Sequence, residues 1–158
     1  MRADSRLSRM LHVLIHMDRH EGPVTSELIA RMLNTNPVVV RRTMAGLREQ
    51  GYLVSEKGHG GGWALARPLD EISLRDVYAA LGEPTVFAIG VADDDPKCLV
   101  EQAVNAAVGE ALREAEERLL ARFGQITIGE LARDFDRRMA ECGESLEKWA
   151  APSPEGRE

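Results

Sequence analysis

The sequence predicts a mainly α-helical fold with one small β-hairpin, and three observations predict it. Apolar residues recur at three-to-four spacing through most of the chain, as on helices with one buried face. Two short apolar runs flank a single glycine cluster between Tyr52 and Leu65, which reads as a β-hairpin with Lys57 and His59 at its tip. Directly upstream lie two helical patterns joined by a tight polar turn. A glycine-rich hairpin after such a pair is the wing of a winged helix-turn-helix unit, whose usual target is duplex DNA. The organisation expected is a DNA-binding unit over residues 1–82, a connector or sensor loop over 83–98, a dimerisation helix and C-terminal helix over 99–149, and a disordered tail over 150–158.

Helix one is predicted from Ser5 to Asp18, with Asp4 or Ser5 as cap and Leu7, Met10, Leu11, Leu14 and Met17 in its stripe. Glu21-Gly22-Pro23 ends it. Thr25 or Ser26 caps a second helix carrying Leu28, Ile29, Met32 and Leu33, and Asn34-Thr35-Asn36 supplies the turn. Pro37 suits the first turn of a third helix, capped by Asn36 and ending at Gln50-Gly51. On that helix Arg41, Arg42 and Arg48 accompany Val39, Val40, Met44 and Leu47, so one face is expected to dock on the domain while another meets a groove. In the hairpin, four glycines in five positions permit positive φ and close backbone approach, and their number suggests a tip built to touch another surface. Trp63 reads as the plug that seats the wing.

Arg67-Pro68 breaks the pattern, and Ser73 opens a short helix with Leu74, Val77, Tyr78 and Leu81 on one face. Gly82-Glu83-Pro84 closes it. In the connector, Asp93-Asp94-Asp95-Pro96 reads as a helix boundary with solvated carboxylates in preference to a metal site. From Leu99 to Ala121 a helix of about 33 Å is expected, with Val100, Val104, Ala107, Val108, Ala111, Leu112, Ala115 and Leu119 forming its stripe. That stripe is too long for so small a domain to cover, so homodimerisation through it is the expectation. A C-terminal helix from Ile128 to Leu146, with Leu131, Ala132, Phe135 and Met139 inward, is expected to cover part of the stripe.

The net charge of −6 seems unsuited to nucleic acid, but it is unevenly spread. Residues 1–67 hold ten Arg and Lys against six Asp and Glu, whereas residues 68–158 hold ten against twenty. A mildly basic front and an acidic back suit a DNA-contacting module joined to a regulatory or dimerising one. Two cysteines far apart are too few for a disulfide framework, and there is no membrane-length apolar run or secretory leader pattern, so a cytoplasmic protein is expected. No nucleophile-plus-base motif, phosphate loop or dinucleotide fingerprint occurs, which argues against an enzyme.

Arg41 and Arg42 are the foremost candidate readers. A guanidinium either bonds guanine O6 and N7 in a bidentate way or pairs with phosphate, and both readings stay open for each. Asn36 and Thr35 are explained as caps or as contacts at the helix start, and Ser5 and Arg6 are candidate backbone contacts. Lys57 and His59, with Gly60 allowing close approach, fit phosphate contact or minor-groove insertion. His12, His16 and His20 repeat every four residues on helix one, a spacing able to chelate a divalent ion. With no carboxylate or cysteine adjacent in sequence, packed or solvated histidines are preferred and no metal site is expected.

Four segments then carry a resemblance: Glu56-Lys57-Gly58-His59-Gly60-Gly61-Gly62-Trp63-Ala64-Leu65-Ala66-Arg67-Pro68, Ile72-Ser73-Leu74-Arg75-Asp76-Val77, Lys97-Cys98-Leu99 and Ile126-Thr127-Ile128-Gly129-Glu130-Leu131. In this order they resemble the Rrf-two-type (IscR/NsrR/CymR-like) family of winged helix-turn-helix transcriptional regulators, over nearly the whole chain to about Leu131. The resemblance implies a homodimer on a palindromic or near-palindromic operator, usually a repressor, with the long helix at the dimer interface. It also implies that Asn36, Val38, Val39, Arg41 and Arg42 face the bases and that Lys57 and His59 are wing contacts.

The sequence departs from cluster-binding relatives in the connector. Of their three cysteines only Cys98 has a counterpart, Val86 and Ala92 standing at the spacings of the other two, and Glu101 replaces the histidine one branch places after the third cysteine. An iron-sulfur cluster is therefore not expected, nor any other cofactor. Three accounts of Cys98 stay open: a small residue at a helix start, a redox-responsive thiol, or one ligand of an atypical metal or iron-sulfur centre. The last draws on His12, because one branch of the family resembles this arrangement in using a helix-one histidine across the dimer, although Ser8 stands where that branch has a carboxylate. The effector is left unnamed. The alternative from another class is a winged helix kept as a protein-interaction module without an operator.

Overall fold

The computed structural model describes residues 4–142, and within them the order is α1 (Arg6–Arg19), α2 (Ser26–Leu33), α3 (Pro37–Glu49), β1 (Leu53–Glu56), β2 (Gly62–Leu65), α4 (Leu74–Ala80), α5 (Leu99–Gln125) and α6 (Ile128–Cys142), with a 3-10 turn at Leu69–Glu71 before α4. The expected tail and the end of the C-terminal helix beyond Cys142 lie outside the described residues.

Local chemistry sets most boundaries. Asp4 accepts the Arg6 N–H at 3.0 Å, the Thr25 hydroxyl accepts from Leu28 at 3.1 Å, and Asn36 Oδ1 accepts from Val38 at 2.8 Å with Pro37 in the first turn of α3. Asn34, at φ 48°, ends α2 in the left-handed conformation that asparagine tolerates. Ser73 and Asp76 form a reciprocal capping box at the start of α4, and Thr127 and Glu130 form another beside α6. An antiparallel bridge joins Ser73 to Thr127, with Leu74 N–H donating to Ile126 and Ile128 N–H to Ile72.

A single cluster of buried side chains fills the space between α1, α2, α3, the hairpin and α4, centred on Leu14, Ile29, Met44, Leu47, Leu53 and Ile72. Burying each such side chain contributes roughly 1.5–3 kcal/mol. Ile128 and Ala132 of α6 belong to the same cluster. Thus α6 packs on α1 and the Leu69–Glu71 turn, among the elements of the 1–82 unit, and is not a cover for α5 as the sequence suggested. Of the four residues expected inward on α6, Ala132 and Met139 are buried and Leu131 and Phe135 half-buried.

The hairpin pairs Leu53 with Leu65 and Glu56 with Gly62. Val24, in the α1–α2 loop, bridges to Trp63 through two hydrogen bonds of 2.8 Å, so β2 is held on both edges. This explains two of the four glycines from inside the chain. A Cβ on Gly61 would lie 2.3 Å from the Glu56 carbonyl oxygen, and one on Gly62 would lie 2.6 Å from that of Val24. Close packing of the wing against its own backbone thus accounts for Gly61 and Gly62, while Gly58 and Gly60, at φ 97° and 80° with open space where a Cβ would stand, supply the left-handed backbone of the exposed tip.

Helix α5 extends four residues beyond the expected end, for a length of about 40 Å at 1.5 Å per residue. It packs against α4, yet none of its 27 residues is buried. No helix among the described residues is long and apolar enough to cross a membrane.

Candidate nucleic-acid interface

Helix α3 is anchored from one side. Val40, Met44 and Leu47, at spacings of four and three, are buried, which turns Val38, Val39, Arg41 and Arg42 outward along the first two turns. Val39, which stands beside Val40, Met44 and Leu47 in the sequence but which the family resemblance places facing the bases, is 53% exposed and belongs to the outer face, one residue out of phase with Val40. Val38 is 65% exposed. Two uncovered branched side chains beside two guanidinium groups make a surface able to meet thymine methyl groups and base or phosphate acceptors.

The two arginines are not equivalent. Arg41 Nη2 lies 2.5 Å from Glu27 Oε1 on α2, whereas Arg42 has no ion pair or hydrogen-bonding partner among the described residues. Sequence reasoning missed Glu27: the contact spans 14 positions between helices, and the only local signal was an acidic residue in the first turn of α2. Arg41 and Glu27 line an open cleft of about 250 Å³ together with Ser55, Glu56, Gly61 and Gly62 at the wing's base. The first turns of α3 and the wing therefore converge on one side of the molecule.

Trp63 supports both. The residue is 8% exposed, its Nε1 donates to the buried Ser26 hydroxyl at 2.9 Å, and the Arg48 guanidinium lies 5.9 Å from its ring centroid. At the tip, Gly61 N–H donates to Gly58 across a four-residue turn in which Gly60 takes φ 80°. His59 occupies the outer corner of that turn; Lys57, His59 and Gly60 are all exposed. Asn36 is exposed but already engaged as the α3 cap, Ser5 is exposed, and Arg6 is held by Asp4 through three side-chain hydrogen bonds of 2.7–3.1 Å.

These geometries accompany a match of residues 3–134 to the Rrf2 family, described as iron-dependent transcriptional regulators. The chain belongs to the Rrf2 family. YwnA of Bacillus subtilis, described as a candidate HTH-type transcriptional regulator, is 35% identical over 73% of this chain and 86% of its own length. The HTH-type transcriptional regulator IscR of Erwinia tasmaniensis is 28% identical over 79% of this chain and 72% of its own. A crystal structure of a transcriptional-regulator candidate from Lactobacillus plantarum shares the fold at a TM-score of 0.70 and 24% identity, covering 88% of this chain and 95% of that one. As an Rrf2 protein the chain is a DNA-binding transcriptional regulator and not an enzyme, with the hairpin as the wing of its winged helix-turn-helix unit.

The family description raises iron, and the connector of this Rrf2 protein does not fit a cysteine-held cluster. Cys98, half-buried at the start of α5, borders a shallow groove of about 310 Å³ lined mainly by Val91, Ala92, Val100, Val104 and Val108, with Glu101 and Asn105 as its polar members. The other thiol, Cys142, is exposed at the end of α6. Among the described residues no three His, Cys, Asp or Glu side chains converge on a metal position. Glu101 is also committed elsewhere, accepting the Asp95 N–H at 3.0 Å. His12 is exposed on α1 and pairs with His16, while His20 turns to the Gly22 carbonyl.

Proposed function

We propose that this regulator works as a cytoplasmic homodimeric repressor on a palindromic operator, each protomer placing α3 in the major groove and the wing against the flanking backbone or minor groove. The uncovered Val38-Val39-Arg41-Arg42 face on a helix locked by Val40, Met44 and Leu47 carries the reading. Arg42, which has no ion pair among the described residues, is available to a guanine edge or a phosphate. Arg41 has to exchange Glu27 for DNA, or bring the carboxylate with it. Asn36 adds a contact at the α3 start, Ser5 and Arg6 meet the backbone beside α1, and Lys57, His59 and Gly60 supply the wing contacts.

Dimerisation through α5 is supported by its exposed apolar stripe. Val100 is 72% and Val104 53% exposed, Ala107, Ala111 and Ala115 are exposed, and Val108, Leu112 and Leu119 are half-buried. Such a surface on one chain calls for a second copy. No iron-sulfur cluster is part of this reading.

Titration of the full chain against fragments of its own promoter, with competitor DNA at moderate salt, tests the assignment, together with light scattering for the mass. A competitor-resistant complex of two chains per site, weakening steeply as salt rises, is the expected result. A monomer in solution, or binding equal on every fragment, overturns it.

A further inference from the structure

Arg41 and Glu27 meet between α3 and α2, with Arg41 Nη2 donating to Glu27 Oε1. Both side chains are more than half exposed, and an ion pair so open to water adds little to stability. Nor does Glu27 serve its own helix. The Thr25 hydroxyl already caps α2, and the Glu27 carboxylate accepts nothing from the backbone there. Its one partner among the described residues is a cation of the proposed reading face.

The place of the pair is a poor one for plain attraction to DNA. The cleft it borders spans α2, α3 and the base of the wing; of the residues lining it, Arg41 is the only cation and Glu56 adds a second carboxylate. Phosphates approaching both α3 and the wing meet negative charge there, which weakens attraction to every sequence alike. The same contact restricts Arg41. A guanidinium carries five N–H donors in a rigid fork, and Glu27 takes only one of them, at Nη2, so the others are presented from a fixed position. A fixed fork can match the two acceptors of a guanine edge, whereas an untethered cation is satisfied by any phosphate. Arg42, next along α3, has no ion pair among the described residues, so the tether is particular to Arg41.

We propose that Glu27 is a positioning residue that sets operator specificity by holding the Arg41 guanidinium for a base edge. The role deepens the operator reading given above and rests on it. Without the carboxylate, Arg41 becomes an ordinary phosphate-binding cation, so the margin for the operator shrinks while arbitrary DNA is bound at least as well.

Full-length wild type, Glu27→Ala, Arg41→Ala and the double variant, each titrated against the promoter fragment and against a mixed-sequence duplex, decide the matter. Glu27→Ala, at an exposed position, should lower the preference for the promoter fragment on the order of tenfold while binding the mixed duplex as tightly as wild type or more so. In the Arg41→Ala background the same change should leave the preference where it was, because Glu27 acts through Arg41. An unchanged preference in Glu27→Ala, or an equal fall with and without Arg41, overturns the proposal. Weaker binding of the mixed duplex by Glu27→Ala overturns it too, since that marks a structural role. Equal binding of both DNAs by wild type fails the operator reading itself, whereas a wild-type preference that survives Glu27→Ala fails only the positioning role.

Discussion

The α3–wing face and the α5 helix differ in what one chain gives them. The first is complete: Val40, Met44 and Leu47 lock α3 from behind, and Trp63 and the Val24 bridge lock the wing. The second is unfinished, with 27 residues in a helix and not one of them buried. A helix in water needs tertiary packing of an apolar face for most of its stability. The lesson is that the proposed reading surface is built within the protomer, while in the proposed dimer the spacing between two such surfaces is left to an interface that one chain cannot supply.

That contrast breaks most sharply at α5. Val104→Glu together with Val108→Glu should leave a folded monomer by light scattering and lower operator affinity by about 10²–10⁴-fold, the avidity lost when two half-sites are no longer linked. An unchanged dimer mass would place the interface elsewhere. Trp63→Ala probes the other side: loss of a buried ring with its Ser26 hydrogen bond should cost about 3–5 kcal/mol in chemical denaturation, with the dimer interface untouched in whatever fraction stays folded. A loss below about 1 kcal/mol would show that the wing is seated by something other than this plug.

Smaller effects separate reading from attraction on the α3–wing face. Arg42→Ala should cost roughly 1–3 kcal/mol and relax preference at one base pair if the guanidinium reads an edge. Lys57→Ala should weaken all sequences alike and lower the salt slope by about 1. If Arg42→Ala behaves as Lys57→Ala is expected to, both are phosphate contacts. The smallest effect lies on α1. Burial and His12 lower the His16 value, so the unfolded chain binds the extra proton first and stability falls as pH drops below the ordinary 6.5 toward the lowered folded value. Thermal melts across that window should show the decline in wild type and lose part of it in His16→Gln.

The elements of the first unit were legible because local rules and tertiary packing agree there. Asn36 before Pro37 announces the start of α3, and Ser73 with Asp76 announces α4, through caps that act within four residues. The phase of α3 was half legible: a run of three valines hides which one faces inward, and only the buried Met44 and Leu47 select Val40. What the sequence could not show were contacts between distant segments. Glycine at 61 and 62 is required by carbonyls of Glu56 and Val24, not by a ligand. The Glu27–Arg41 pair and the return of Ile128 to the core are likewise long-range, and an amphipathic α6 pattern does not say which neighbour it serves. The candidate reading residues were visible as types, whereas the difference between a paired Arg41 and a free Arg42 was not.

The hydrogen bonds of Leu74 to Ile126 and of Ile128 to Ile72 fasten both sides of the α5–α6 junction to the chain just before α4. No slack segment therefore separates the C-terminal end of α5 from the unit that carries α3. In a dimer joined through α5, the distance between the two recognition helices is a ruler cut into the protein, and an operator lengthened by one base pair between its halves would have to be twisted or bent to fit it.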